Sequence, residues 1–363
     1  MKPTHPLYFI KESFTPPPAD SGRLDFIDLA KGICIILVII LHTLNAEIPN
    51  TAALRMPLYF FVSGLFFRTY DSPRIFLLKK INNLIVPFLF WQLFTCLTLF
   101  IVGLLFNHEL SFQIVSNIKS NKFYNENWAL WFLTCLFLSG LIFYIIKQSL
   151  NEKCLLLTVV LIGFVSYIFS QIGYNKLYIL NGSLIALPLI YMGYIIQKYY
   201  GQDNLKKTTK GSKIFLGASL IILSYAIYIL IGNFSPDISN NIFIGNPIIA
   251  YLNSLLFIGG TICICSSICW LPIISYFGRY SIIVLCCHHL FQRILNEIIP
   301  YFHGHELRPI YIFPIVLLLC WVTIPLCRRF IPQFVAQKPL INPNLELPQV
   351  FRNIFGRRFN KNA

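Results

Sequence analysis

The segment Asp28-Leu-Ala-Lys31-Gly32-Ile-Cys-Ile-Ile-Leu-Val-Ile-Ile-Leu-His42 decides what kind of protein this is. It reads as an apolar helix with charge at its foot and one histidine far along its length. A helix of that apolarity belongs in a bilayer, where an ionisable side chain is costly and marks a functional site. Lys31 and His42 are close to three helical turns apart, so they share a face at about 16 Å along the axis. That geometry suits a substrate lying along the helix, held at the membrane surface and reacting inside.

The rest of the chain repeats the pattern. Of 363 residues, 56% are hydrophobic and 12% charged, with a mean hydropathy of +0.67. A soluble domain carries roughly 25% charged residues. Ten apolar runs near the length of a span occur at approximately 27–46, 56–67, 84–106, 128–146, 154–170, 179–196, 214–231, 247–268, 277–297 and 309–327; the second is short. Lipid leaves unpaired backbone groups unsatisfied, and the runs are too long and too apolar for barrel strands. The expectation is an all-α, polytopic membrane helical bundle of about ten transmembrane helices.

The basic residues set its orientation. With the N-terminus in the cytoplasm, 23 of the 29 Lys and Arg residues fall on the cytoplasmic side. Arg55, Lys119, Lys122, Lys176, Arg293 and Arg308 fall on the other. That bias obeys the positive-inside rule, and an even number of spans returns the C-terminus to the cytoplasm. The net charge of +15 is accounted for by topology and by attraction to anionic membrane lipids, with no role for nucleic acid. Residues 1–26 form a polar cytoplasmic segment with a Pro16–Pro18 run and no signal-peptide core, so the first span is expected to serve as an uncleaved anchor. Residues 27–330 form one membrane domain and 331–363 a basic cytoplasmic tail. There is no long-period repeat.

Eleven cysteines fall almost entirely inside the proposed spans. The run Cys286-Cys287-His288-His289 has the composition of a soft-metal cluster. Neighbours on a helix diverge by about 100°, however, so these four cannot converge on one ion unaided, and no metal is expected. His289 is expected to point away from His288 and to pack.

Four segments then carry a resemblance. They are Arg23-Leu-Asp25-Phe-Ile-Asp28-Leu-Ala-Lys31-Gly32 through His42; Arg55-Met-Pro57-Leu-Tyr-Phe-Phe-Val-Ser63-Gly64 with Lys79-Lys80-Ile-Asn-Asn83-Leu-Ile-Val-Pro87; Trp128-Ala-Leu-Trp131-Phe132-Leu133; and Phe277-Gly278-Arg-Tyr-Ser281 through His288. In this order and spacing, over about residues 23–330, the chain resembles the acyltransferase 3 family of integral membrane O-acyltransferases. It looks most like the fucose 4-O-acetylase-like branch. The resemblance implies transfer of an acyl group, usually acetyl, from cytoplasmic acyl-CoA (acetyl-CoA as the donor) to a hydroxyl of a cell-surface glycan or lipid-linked sugar, in a bacterial inner membrane. The family's catalytic histidine falls on His42. The basic residue of its first motif falls on Lys31, and its Arg-x-x-Arg pair falls on Lys80 and Asn83. The second basic charge is therefore missing, and Lys meets phosphate as a point charge without the fork of Arg.

The residues fit that chemistry on their own terms. Acyl transfer to an alcohol needs a base for the hydroxyl proton and a positive charge or dipole at the developing oxyanion. His42 is the expected base and Arg55 the expected oxyanion or acceptor contact. Lys31, Lys79, Lys80 and Asn83 are expected at the donor. Trp128 and Trp131 suit stacking on a sugar ring, and His288 is expected to face the same cavity. Asp25 and Asp28 are expected to cap the first helix. The alternative is a polytopic transporter or flippase for a sugar, lipid or small solute, which would tend to show repeat symmetry and paired broken helices. A scaffold without activity has no need of His42.

Overall fold

The computed structural model describes residues 8–17, 24–70, 72–120, 126–173, 178–207, 209–303 and 308–342. Arg23, Pro18, Lys122, Lys176 and the tail beyond residue 342 lie outside them. The chain is helical nearly throughout. After a short α1 (Tyr8–Phe14) come α2 (Asp25–Leu44), α3 (Arg55–Leu65), α4 (Pro73–Lys80), α5 (Val86–Phe106), α6 (His108–Lys119) and α7 (Trp131–Ser149). Then follow α8 (Glu152–Gln171), α9 (Tyr178–Lys207), α10 (Lys210–Leu230), α11 (Pro247–Ile268), α12 (Ile274–Arg279), α13 (Ser281–His303) and α14 (Pro309–Phe330). A two-stranded antiparallel hairpin, β1 (Ser235–Asp237) and β2 (Ile242–Ile244), joins α10 to α11 with Asp237 opposite Ile242.

Among the described residues, nine helical stretches are long and apolar enough to cross a bilayer. The tenth expected span is α3. At 11 residues it reaches about 16 Å, roughly half the hydrocarbon thickness. It is not among those nine, so among the described residues the ten expected spans become nine long helices and one short one, with exposed residues 45–49 before it. The third expected span begins earlier than its apolar run: α4, a π-type turn at Ile81–Ile85 and α5 form one stretch of 34 residues, so Lys79, Lys80 and Asn83 sit on a helix.

Helix α2 is the hub, packing against α3, α11, α12, α13 and α14. Leu29, Ala30, Cys34, Ile35 and Ile39 on it are fully buried. Helices α8 and α10 lie at the periphery and turn Leu157, Leu161, Phe164, Phe215, Ile222 and Ile229 outward. A continuous apolar girdle of that kind requires lipid around it. Glycine sets the closest crossings. A Cβ on Gly278 would run into the Asp28 carbonyl and one on Gly32 into the Ile274 carbonyl, so α12 lies backbone-to-backbone on the start of α2. Gly64 and Gly193 do the same for α3 and α9.

Helix α1 and the segment after α14 are both tied to the end of the bundle that carries Lys31. Glu12 of α1 accepts from Arg328 at 2.5 Å and from the Tyr280 hydroxyl at 2.6 Å, and Trp321 donates to Ser13 at 2.9 Å. Asn82, in the π-type turn, accepts from the backbone of Leu340 and Ile341 and donates to the Ile341 carbonyl, all within 2.9 Å. The segment after α14 thus forms a strap across the turn that follows Lys80.

Candidate active site

Two cavities lie along α2, one at each end. The first, of about 370 Å³, is lined by Lys31, Arg68, Lys79 and Lys80, with Asn83, Ser63 and Ser281 beside them and, among the described residues, no carboxylate. Its wall is aromatic: Lys79 Nζ sits 4.3 Å from the centre of the Tyr70 ring and Lys80 Nζ 5.7 Å from that of Phe76. Four cations on an aromatic cradle have the chemistry to receive an anion with a planar body attached. Two of the four come from α4, placed by the π-type turn, a device that recurs at functional sites.

Asp28 does not act as a helix cap. The N-cap residue is Leu24, without a side-chain bond, and the Asp28 carboxylate instead meets Lys31 at 2.8 Å and Arg279 at 3.7 Å. The Gly278–Asp28 backbone contact brings Arg279 near enough for this. Arg279, which the charge count treated as a topology signal, is buried, with its guanidinium 4.9 Å from the Trp270 ring centre. Tyr59 donates to the Lys31 carbonyl at 2.9 Å, fixing α3 to this face of α2.

The second cavity, of about 250 Å³, is lined by His42, Arg55, Trp128, Trp131, Glu47 and the hairpin residues Asp237, Ser239 and Asn240. Arg55 is buried and its Nη2 donates to Glu47 at 2.8 Å. The turn bearing Trp128 is locked by Arg293 of α13, which donates to Glu126 at 2.6 Å (carboxylate) and 2.9 Å (carbonyl); Asn117 donates to the other carboxylate oxygen at 2.7 Å. Asn127 then bonds Thr95 and the Cys286 carbonyl, so α5 and α13 both hold this turn.

Three imidazoles meet at His42. Its ring lies 5.4 Å from that of His288 and 5.7 Å from that of His289, centre to centre, so His289 does not point away as expected. His288 is fully buried behind His42 and lines neither cavity. Its Nδ1 donates to the Val284 carbonyl at 2.9 Å, which leaves Nε2 with a free lone pair. Gln292 donates to the backbone carbonyl of His42. Among the described residues no group of three His, Cys, Asp or Glu is placed to hold a metal ion, and all eleven cysteines are free.

The first cavity gathers Lys31, Lys79, Lys80 and Asn83; the second gathers His42, Arg55, Trp128 and Trp131. Met56 and Leu285 are the lining residues the two have in common. Along α2 the order is Lys31, Ile35, Val38, His42, one step per turn from one cavity to the other. Residues 24–328 match the family described as an acyltransferase domain, acyltransferase 3. The chain belongs to this family. No curated protein and no solved structure matches it. With the nine hydrophobic stretches it is a multi-pass membrane acyltransferase, and such an enzyme needs one place for an acyl donor and one for an acceptor. The strap at 331–342 lies outside the matched region.

Sequence reasoning missed Arg68, Asp28 with Arg279, Glu47 and the hairpin. Arg68 carried a signal, as one of four basic residues between Arg68 and Lys80, but it was absorbed into the topology count. The hairpin residues have no periodicity to show which cavity they cover.

Proposed function

We propose that the protein transfers an acyl group, acetyl by preference, from acyl-CoA bound in the Lys31 cavity to a sugar hydroxyl in the His42 cavity. The carrying observation is the pair of cavities along α2, cationic at one end and bearing His42, Arg55 and two tryptophans at the other, with Met56 and Leu285 between them. The donor phosphates meet Lys31, Arg68, Lys79 and Lys80, with Asn83 as a neutral hydrogen-bonding partner where a second Arg would stand. The pantetheine arm is a thin, mostly apolar chain suited to passing Met56 and Leu285. It delivers the thioester to His42.

There the acceptor oxygen bonds the acyl carbon while its proton passes to the imidazole. Arg55, held by Glu47, stabilises the oxyanion. Collapse breaks the carbon–sulfur bond, and the imidazolium returns the proton to the leaving thiolate. Trp128 and Trp131 stack on the sugar face. His288 and His289 hold the His42 ring in register from behind. The charge bias favours the Lys31 cavity facing the cytoplasm and the His42 cavity facing outward, in a bacterial inner membrane, with a cell-surface glycan or lipid-linked sugar as acceptor. Purified protein in proteoliposomes, given acetyl-CoA and a sugar acceptor, tests this: acetylated acceptor is expected, and acetyl-CoA turnover with no modified acceptor contradicts it.

A further inference from the structure

The second cavity carries an uneven charge. Its lining carries two carboxylates, Glu47 and Asp237, against one guanidinium, Arg55, which is bonded to Glu47 at 2.8 Å and also feels the Asp237 charge, so one negative charge is in surplus. The three hydrogen bonds to the Asp237 carboxylate all come from neutral donors of its own turn: the Ser239 hydroxyl at 2.6 Å, the Asn240 backbone at 3.1 Å and the Asn240 amide at 2.8 Å. These bonds fix the carboxylate without cancelling its charge.

The turn is held in place from beneath. Asn253 of α11, fully buried, donates to the Phe234 carbonyl at the base of the hairpin at 2.7 Å and to the Asn50 side chain at 2.8 Å. Ser224 of α10 closes the knot, accepting from Asn50 at 2.8 Å and donating to Asn253 at 2.5 Å. Asn50 ends the loop that carries Glu47, and Phe234 immediately precedes the strand that carries Asp237. One buried polar knot therefore sets both carboxylates of the cavity, an expensive arrangement to maintain unless every member is satisfied.

From this we infer that the hairpin Ser235–Ile244 is the acceptor-selecting element and that Asp237 is a specificity-determining residue admitting neutral hydroxylated acceptors and rejecting anionic ones. The inference rests on the second cavity being the acceptor site of the proposed reaction. A like charge in a partly buried cavity discriminates by repulsion, which is stronger there than in water. A neutral sugar loses nothing to Asp237, whereas a uronic acid brings a second carboxylate against it.

Binding of methyl β-glucoside and methyl β-glucuronide to purified protein in detergent, without donor, reads this inference separately from catalysis. The parent protein is expected to bind the glucoside and to disfavour the glucuronide. Asp237→Asn keeps the oxygen that the turn requires, and is expected to narrow the difference roughly tenfold, the scale of removing one like-charge contact. Ile244→Lys, which adds a cation to the same cavity without touching the Asp237 turn, is expected to shift preference in the same direction. Equal binding of both sugars by the parent, or a preference that both variants leave unchanged, overturns the inference. Selective binding with no transfer from acetyl-CoA leaves the inference standing and defeats the transferase reading alone.

Discussion

Lys31 and His42 stand on one face of α2 yet open into two different cavities, with Met56 and Leu285 as the lining residues common to both. The face was readable from the spacing of the two residues. The partition between them is made by side chains from α3 and α13. In the proposed reaction a donor held at Lys31 reaches His42 past that pair, so Met56→Trp is expected to abolish transfer while acetyl-CoA affinity stays within about twofold of the parent. Calorimetric titration beside a transfer assay checks both halves.

The cationic cavity predicts a second separation. In the proposed donor site, replacing Lys80 by Gln is expected to remove one charge-assisted contact of about 1.5–3 kcal/mol with a donor phosphate, a tenfold or greater loss of affinity. The apparent KM for acetyl-CoA is expected to rise by that factor with less change in kcat. An unchanged KM would return Lys80 to the role of a topology anchor.

The glycine crossing predicts a stability effect. Gly278→Ala places a methyl group against the Asp28 carbonyl, and backbone atoms cannot step aside as a side-chain tip can. Overpacking of this kind costs about 1–3 kcal/mol. The expected result is a lowered Tm in detergent and a weaker donor site, because the shift also separates Arg279 from Asp28.

The strap predicts that residues outside the family match matter to the donor. Asn82→Ala removes the hydrogen bonds to Leu340 and Ile341 that hold the strap on the π-type turn. An increase in KM for acetyl-CoA with little change in Tm is expected, measured on the full-length variant. A fall in Tm with an unchanged KM would make the strap a stabilising feature only.

How much of this was legible follows from what a helix period can encode. Nine of the ten expected spans were, because each carries its own apolar run. The second run was counted as a span, whereas α3 is only 11 residues long and too short to cross on its own. Lys31, Lys79, Lys80 and Asn83 were expected together and share one cavity, while Arg68, Glu47 and the hairpin were not named and His288 lines neither; Trp128 is held by a turn that Arg293 ties to α13. Asp28 was read as a cap because its partner Arg279 lies 251 positions away and arrives through a glycine contact that one sequence does not announce. His289 was assigned to packing from its angle to His288, whereas α2 passes close enough to meet both rings.

The most direct measurement compares His42→Gln with the parent in proteoliposomes supplied with radiolabelled acetyl-CoA and a neutral sugar acceptor. Loss of the general base predicts a fall in labelled acceptor of about 10²–10⁴-fold, with acetyl-CoA affinity and protein abundance unchanged. Labelled acceptor formed by the variant at the parent's rate would contradict the assignment of His42 as the base.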